Sequence, residues 1–408
     1  MDCYFEQTQG LPPDLVFSAG SRKKQEVLKR SEISVWMVSL AMVMMACGSN
    51  TPTDVSASAS GGSEAGATNQ GDGGNGSVPN IAVSGGMMAR DAAAAVDASS
   101  VDGSSLSNSD AGVSSGLPEG NSGIAAKYSG DMGIAADPNV VFADDFESYP
   151  VDAQGPDINQ VWDAVYQNQY VSIATDPDNV HGGSQALEFT LPQSPDELSD
   201  GTDKLLSNEL DTLYLRYYSK FKAPYDVVGS SHNGSSISAH YFMGNMATPG
   251  VPADGVNKFL VNLENWRGDS ATPSPGQLNV YVYHPEQRTE YGDHFYPTGL
   301  VNPNTSIPFD FGPDFVSRPD IIPELDRWYC YEYMVRANTP GKRDGRIAIW
   351  LDGKLVADFG NLRFRDIDTL KIDRFGLSFH IKSNPNGEAK KWYDDVVAAT
   401  SYIGPKAP

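Results

Sequence analysis

One stretch restricts the possible folds more than any other: Arg327–Asp358, RWYCYEYMVRANTPGKRDGRIAIWLDGKLVAD. Trp328–Arg336 alternates large side chains in a β-rich composition and is broken by Asn338-Thr339-Pro340-Gly341 and Arg343-Asp344-Gly345. Arg346–Leu351 alternates again, with Ile347, Ile349 and Leu351 on one side. Asp352-Gly353 then supplies a two-residue hairpin turn, because an Asp-Gly pair accepts the positive φ angles that turn demands. Lys354–Asp358 returns as its partner, so the stretch reads as an antiparallel meander.

Strand signals continue on both sides. Val140–Glu147, Gln169–Thr175, Gln185–Leu191, Leu213–Phe221, Ser236–Met243, Lys258–Trp266 and Leu278–His284 precede the meander. Phe375–Lys382 and Lys391–Thr400 follow it. Turns such as Asp176-Pro177-Asp178-Asn179 and His181-Gly182-Gly183 separate them. The segment 285–323 is rich in Pro, Asp, Gly and aromatics and is expected to be a long loop over one edge or face. Closely spaced strands with no helical periodicity between them give an all-β fold, an antiparallel β-sandwich.

The N-terminal part is different. Arg22, Lys23, Lys24, Lys29 and Arg30 precede the apolar run Ile33–Ala46, which is short for a membrane span but suits a secretory signal. The run ends in Met45-Ala46-Cys47-Gly48, which resembles a bacterial lipobox although Met44 and Met45 depart from its leading pair. That resemblance implies cleavage before Cys47 and a lipid on its sulfur, hence a lipoprotein of the cell envelope or a secreted protein. A short membrane anchor or an ordinary signal peptide are the alternatives. Ser, Gly, Ala, Asn and Asp then dominate to about Asp137, a composition too poor in large apolar groups to offset its ordering entropy. The expected organisation is 1–47 as extension and signal, 48–137 as a disordered stalk, and 138–408 as one folded domain.

Composition excludes some functions. A formal charge of −23 argues against nucleic acid, although a local basic groove remains compatible with it. Three cysteines make no disulfide framework, and Cys330, alone in a strand, reads as a small buried hydrophobe. The six histidines show no zinc spacing, and no phosphate loop or Gly-x-Ser-x-Gly elbow is present.

Three stretches carry a family resemblance: Asp144-Asp145-Phe146-Glu147 with His181-Gly182-Gly183-Ser184-Gln185-Ala186-Leu187; Leu213-Tyr214-Leu215-Arg216-Tyr217-Tyr218; and Trp392–Thr400. Together they resemble a concanavalin A-like jelly roll, most of all the polysaccharide lyase-like type of glucuronan and alginate lyases. The resemblance implies a structural Ca²⁺ near the joined chain ends, with Glu147, Asp395 and carbonyls of the 176–184 turn as ligands. Acids that merely cap turns are the alternative. It also implies a His–Tyr pair in an open groove.

Alternation predicts who lines that groove. Packing Ile237, Val261, Leu263, Val280, Val282, Phe375, Leu377 and Phe379 inward leaves His240, Asn262, Glu264, Trp266, Asn279, Tyr281, Tyr283, His380 and Lys382 outward. Arg216, Tyr218 and Lys220 are expected to join them. Aromatic faces suit pyranose rings and Arg or Lys suits uronate carboxylates, so the partner expected is an acidic polysaccharide. The reaction expected is β-elimination: Arg216 and Asn262 neutralise the carboxylate, His240 removes the C5 proton, and Tyr283 (or Tyr281) protonates the leaving oxygen. Tyr218, Lys220, Glu264, Trp266, Tyr281, His380 and Lys382 bind substrate in this reading. A non-catalytic, lectin-like jelly roll, or a surface protein with no sugar ligand, fits the same pattern. Glycoside hydrolysis ranks lower, because no strand offers paired carboxylates. A monomer is expected, touching the membrane only through its lipid.

Overall fold

The computed structural model describes residues 116–229, 231–241 and 249–408. The expected signal segment, Cys47, the first part of the expected stalk and the end of the expected strand Ser236–Met243 lie outside the described residues. The strands, in chain order, are β1 Val140–Asp144, β2 Ala164–Tyr166, β3 Val171–Ala174, β4 Ala186–Leu191, β5 Leu198–Leu210, β6 Thr212–Phe221, β7 Ser231–His232, β8 Ser235–Ala239 and β9 Phe259–Trp266. They continue with β10 Gln277–Tyr283, β11 Asp293–Phe295, β12 Val301–Asn302, β13 Tyr329–Arg336, β14 Gly345–Leu351, β15 Lys354–Leu362, β16 Ile372–Ile381 and β17 Ala389–Ala399.

These strands form two antiparallel sheets. The meander sheet runs β15-β14-β13-β6-β17-β4-β3, with β1 also on β17. The other runs β12-β11-β10-β9-β8-β16-β5-β2, with β7 also on β16. Between them lies one core, built from Leu213, Leu215, Tyr333, Ile347 and Ile349 of the first sheet and Ile237, Val261, Val280, Phe375 and Leu377 of the second. A β-strand sends alternate side chains to opposite faces, so burying these sets fixes which residues look outward from each sheet. Tyr217, from the meander sheet, accepts a hydrogen bond from the Ser235 hydroxyl of the second sheet at 3.1 Å, so its buried oxygen has a partner across the core. The all-β sandwich expected from strand spacing is the fold observed.

Two segments read as irregular do specific structural work. The expected loop 285–323 contributes β11 and β12 to the second sheet. Its later part then brings Phe309 and Phe311 against Phe295, at ring separations of 4.9 and 5.1 Å, and Phe311 within 4.9 Å of Phe359 on β15. The loop therefore closes one side of the sandwich by bridging β11 of one sheet and the edge strand β15 of the other. Residues 117–137, expected in the stalk, pack on the outer face of the meander sheet. There the Ile124 and Ala125 N–H groups donate to Tyr402 and Ile403 carbonyls at 3.1 and 2.9 Å. Trp350 Nε1 donates to the Pro118 carbonyl at 2.8 Å. The folded unit thus begins ahead of residue 138.

Candidate functional site

The outer face of the second sheet carries a polar groove. Register places Tyr281 beside Asn262 and His294, Asn262 beside Ser236, and Ser236 beside Gly376. The middle of this face is floored by small residues: Ser236, Gly376, Ser378 and Gly201. A Cβ at Gly376 would fall 2.3 Å from Asp203 Oδ1, so only glycine permits this close approach of strands and side chains. Rings and charged groups rise on either side of that floor.

One wall is a buried carboxylate between two imidazoles. Glu264 Oε2 lies 2.7 Å from His232 Nδ1, and Glu264 Oε1 lies 3.2 Å from His294 Nδ1. Burial alone would depress the His232 pKa, but the Glu264 carboxylate overrides it and holds it above the ordinary value. Burial would likewise raise Glu264, and the two histidines outweigh that and hold it low. His232 thus holds its proton more tightly than a free imidazole does. His380, 5.2 Å away ring to ring, is pushed the other way, down to about 3, by burial and then by His232, with Glu264 opposing. Trp266 packs on His294 at 4.6 Å, and Tyr281 lies between His232 and His294 at 4.7 and 4.8 Å. The buried Asn262 amide oxygen has no hydrogen-bond partner among the described residues.

Tyr281 links this wall to a second group at the end of the same face. Its ring is 5.6 Å from that of Tyr283, which packs 5.4 Å from Tyr241. Lys258 Nζ sits over both rings, 4.7 Å from the Tyr241 centroid and 5.0 Å from that of Tyr283. Burial pulls the Lys258 pKa down to about 8, against an opposing pull from Asp254. A segment caps this end: Gly250 N–H donates to the Tyr283 hydroxyl at 3.2 Å, and Ala253 packs in the same cluster.

The groove therefore gathers Asn262, Glu264, Trp266, Tyr281, Tyr283 and His380. Lys382 is exposed just past the end of β16. His240 ends β8 in a left-handed conformation, φ 51°, and turns to Glu209 at 3.0 Å. Among the described residues, no hydrogen bond or ring contact links it to Tyr283. Lys258, His232 and His294 were not singled out for the groove by sequence reasoning. Lys258 shares the outward parity of Asn262 and Glu264, which was the available signal. His232 reads as a turn residue because β7 is only two residues long.

Arg216, Tyr218 and Lys220 require correction. They do face outward, but from β6, which belongs to the meander sheet, so they lie on the opposite surface of the sandwich. Arg216 is fully buried there and its Nη2 is 2.5 Å from Asp131 Oδ2. Tyr218 stacks on His181 at 3.6 Å, and its hydroxyl accepts from the Lys406 N–H at 2.9 Å. Lys220 donates to the Asp178 carbonyl and to Asn179 Oδ1, the latter at 3.0 Å. None of the three is available to a ligand in the groove.

Glu147 and Asp395 do meet the 181–185 turn as expected, and the candidate ligand atoms of His181, Asp394 and Asp395 lie within 4.8 Å of one another. Their donors, however, do not fit a calcium cage. Glu147 accepts the Ser184 N–H at 2.7 Å, the Gln185 N–H at 2.8 Å and the Ser184 hydroxyl at 2.7 Å. Asp394 accepts the N–H groups of His181 and Gly182, both at 2.9 Å. Asp395 holds the Lys406 ammonium at 2.6 Å and His181 Nδ1 at 2.8 Å. Calcium needs carboxylate and carbonyl oxygens turned to one point, and here N–H donors and an ammonium claim the acids.

Comparison with protein-family models and with curated protein sequences finds no match. Comparison with solved structures finds similar sandwiches. An alginate lyase, Aly36B, is 16% identical and has a TM-score of 0.45, covering 65% of this chain and 98% of its own. The marine PL-14 alginate lyase from Aplysia kurodai is 15% identical with a TM-score of 0.44, covering 64% of this chain and 99% of its own. The endo-β-1,4-glucuronan lyase from Trichoderma reesei is 14% identical with a TM-score of 0.39, covering 59% and 91%.

Proposed function

We propose that this protein cleaves a uronate-containing polysaccharide by β-elimination in the groove of the second sheet. The observation that carries the reading is Lys258: a buried amine whose pKa is pulled to about 8, set against the Tyr283 and Tyr241 rings, on the same face as His232, whose pKa the Glu264 carboxylate raises. At neutral to mildly basic pH such an amine has a substantial neutral fraction and can act as a base.

The steps follow from these positions. The sugar carboxylate lies against protonated His232 and the Asn262 amide, which lowers the cost of placing charge on C5. Neutral Lys258 takes the C5 proton. The C4–O4 bond breaks as the C4=C5 double bond forms, and the Tyr283 hydroxyl gives its proton to O4, with Tyr281 as the neighbouring donor. Lys258 ends as ammonium and Tyr283 as tyrosinate, which exchange protons with solvent before the next turnover. Compared with the sequence reading, Lys258 replaces His240 as base and His232 replaces Arg216 as the neutralising cation. Substrate reaches Lys258 once the 250–253 cap lifts, which breaks the Gly250–Tyr283 and Ala253–Gln287 hydrogen bonds, about 1 kcal/mol each. Display on the cell envelope through Cys47, set out from the sequence, belongs to the same proposal.

The test is direct. Mixing the protein with polymannuronate, polyguluronate, glucuronan and polygalacturonate should raise ultraviolet absorbance from the new double bond on at least one, and Lys258→Ala should abolish the rise. Binding without turnover across the panel would replace this reading with the lectin-like one.

A further inference from the structure

A second cavity, of about 500 Å³, lies away from the groove. It sits at the edge of the meander sheet, where the end of the 285–323 loop hooks over β13, β14 and β15. Val335 and Ile347 point into the core, so their neighbours Arg336 and Arg346, paired across β13 and β14, point to the outer surface. Arg318 and Arg343 complete a set of four arginines around the cavity, and Phe311 and Phe315 form part of its wall. In size it is in the range of sites that enclose small molecules.

The arginines divide into two kinds. Arg346 is held by Asp358 through two contacts, 2.7 and 2.6 Å, and Arg343 is held by Glu286 and Asn361. Arg336 and Arg318 donate to the carbonyls of Asp344 and Val316, each at 3.2 Å, and neither has a carboxylate partner among the described residues. Two guanidinium groups therefore keep their charge uncompensated by an ion pair in a protein of net charge −23. Asp314, Asp344 and Asp358 also line the cavity. That mixture selects among anions. Asp358 is taken up by Arg346 and Asp344 by the Thr339 N–H and hydroxyl, so a bare phosphate or sulfate would meet the Asp314 carboxylate with nothing to offer it. A sugar acid offers a carboxylate to the Arg318 and Arg336 guanidinium groups, a hydroxyl donor to Asp314 and an apolar ring face to the phenylalanines.

We infer that this cavity is a second binding site for one or two uronate residues of an acidic glycan, on the face of the sandwich opposite the groove. The choice of uronate rests on the polyuronate reading of the groove, whereas the anionic-sugar chemistry of the cavity stands on its own residues. Such a site would hold a long polymer to the protein between cleavage events without taking part in them.

The experiment titrates glucuronate and mannuronate tetrasaccharides calorimetrically into full-length Lys258→Ala protein, with and without Arg318→Ala/Arg336→Ala. Both arginines lie at the surface, so circular dichroism and melting temperature should be unchanged by the pair. Two sites are expected in the first protein and one in the second, with a glucose tetrasaccharide failing to fill the arginine-dependent site. In the active protein the arginine pair should raise KM for long polymer severalfold and leave kcat unchanged. Equal stoichiometry and equal KM in both backgrounds overturn the second site, whatever the groove does. Loss of turnover on every polyuronate together with a single arginine-dependent site would overturn the groove reading and keep this one.

Discussion

The two outer faces of this sandwich carry similar residue types and use them in opposite ways. On the groove face, Glu264 is buried between His232 and His294, with Tyr281 alongside. On the meander face, Glu332 is buried near Arg216 and Tyr218. Burial pushes the Glu332 pKa up to about 7, although the Ile403 and Gly404 N–H groups, each donating at 2.8 Å, and Arg216 oppose it. The meander-face groups are roofed by two other segments of the chain: Asp131 lies on Arg216, and the 403–406 stretch lies on Glu332, Asp395 and Tyr218. His232 in the groove keeps about a quarter of its side chain exposed, 27%. Charge and aromatic content alone therefore do not identify a site.

The sharpest way to break that comparison is to remove one partner from the roofed face. Asp131→Ala strands a fully buried guanidinium and should cost about 3–5 kcal/mol in urea unfolding. Rate per folded molecule should not change. A stability equal to the parent's, or a loss of kcat in the folded fraction, would erase the distinction between the faces.

Lys258→Met tests the groove face in the opposite sense. It should lower kcat by roughly 10²- to 10⁴-fold with the melting temperature held or raised, since a poorly solvated ammonium is replaced by an apolar chain. In the parent, kcat/KM should climb as pH rises through about 8, because the base proposed is the neutral amine. A flat profile across that range assigns the proton transfer to another group.

Glu264→Gln sharpens the pair. The His232 pKa is raised in the fold, so its contribution to stability is fully present below about 6.5 and is lost as pH rises through the raised value. The Glu264 pKa is lowered, so its contribution is present above about 4.5 and lost as pH falls through the lowered value. The variant should therefore lose about 1–3 kcal/mol near pH 6 and less near pH 9. The His232 proton resonances should titrate at lower pH than in the parent. Unchanged titration would mean Glu264 does not set the charge of His232.

The smallest effect is expected at the joined ends. Lys406→Met should lower stability by about 1 kcal/mol, because Asp395 loses its ammonium partner. Scanning calorimetry with and without a chelator is the measurement. A fall in melting temperature of the parent on chelation would restore the calcium inferred from the chain-end motifs.

Much of the sandwich was legible because its strands alternate. β6, β9, β10, β13, β14 and β16 each pair a greasy side with a polar one, and their observed bounds fall within a few residues of those read from the sequence. β5 was not legible: LSDGTDKLLSNEL contains Asp-Gly and Ser-Asn pairs that signal turns, and its β structure comes from the ladder it makes with β16. The groove was half legible. Asn262, Glu264, Tyr281, Tyr283 and His380 were reached by parity, while Lys258 looked like an ordinary solvated lysine at a strand start. Its depressed pKa comes from burial, and the groups packed around it, Tyr241 and Tyr283, lie elsewhere in the chain.

By itself the sequence determined that this chain stacks two antiparallel sheets, and which side chains of each major strand point away from the core, because a period of two leaves no other way to bury the apolar half. Only the tertiary structure decided which surface those outward residues share. Parity separates inside from outside, but a sandwich has two outsides, and strand order assigns β6 to one and β9, β10 and β16 to the other. For that reason Arg216 ends beneath Asp131 on one face, and Lys258 and His232 end in the groove on the other.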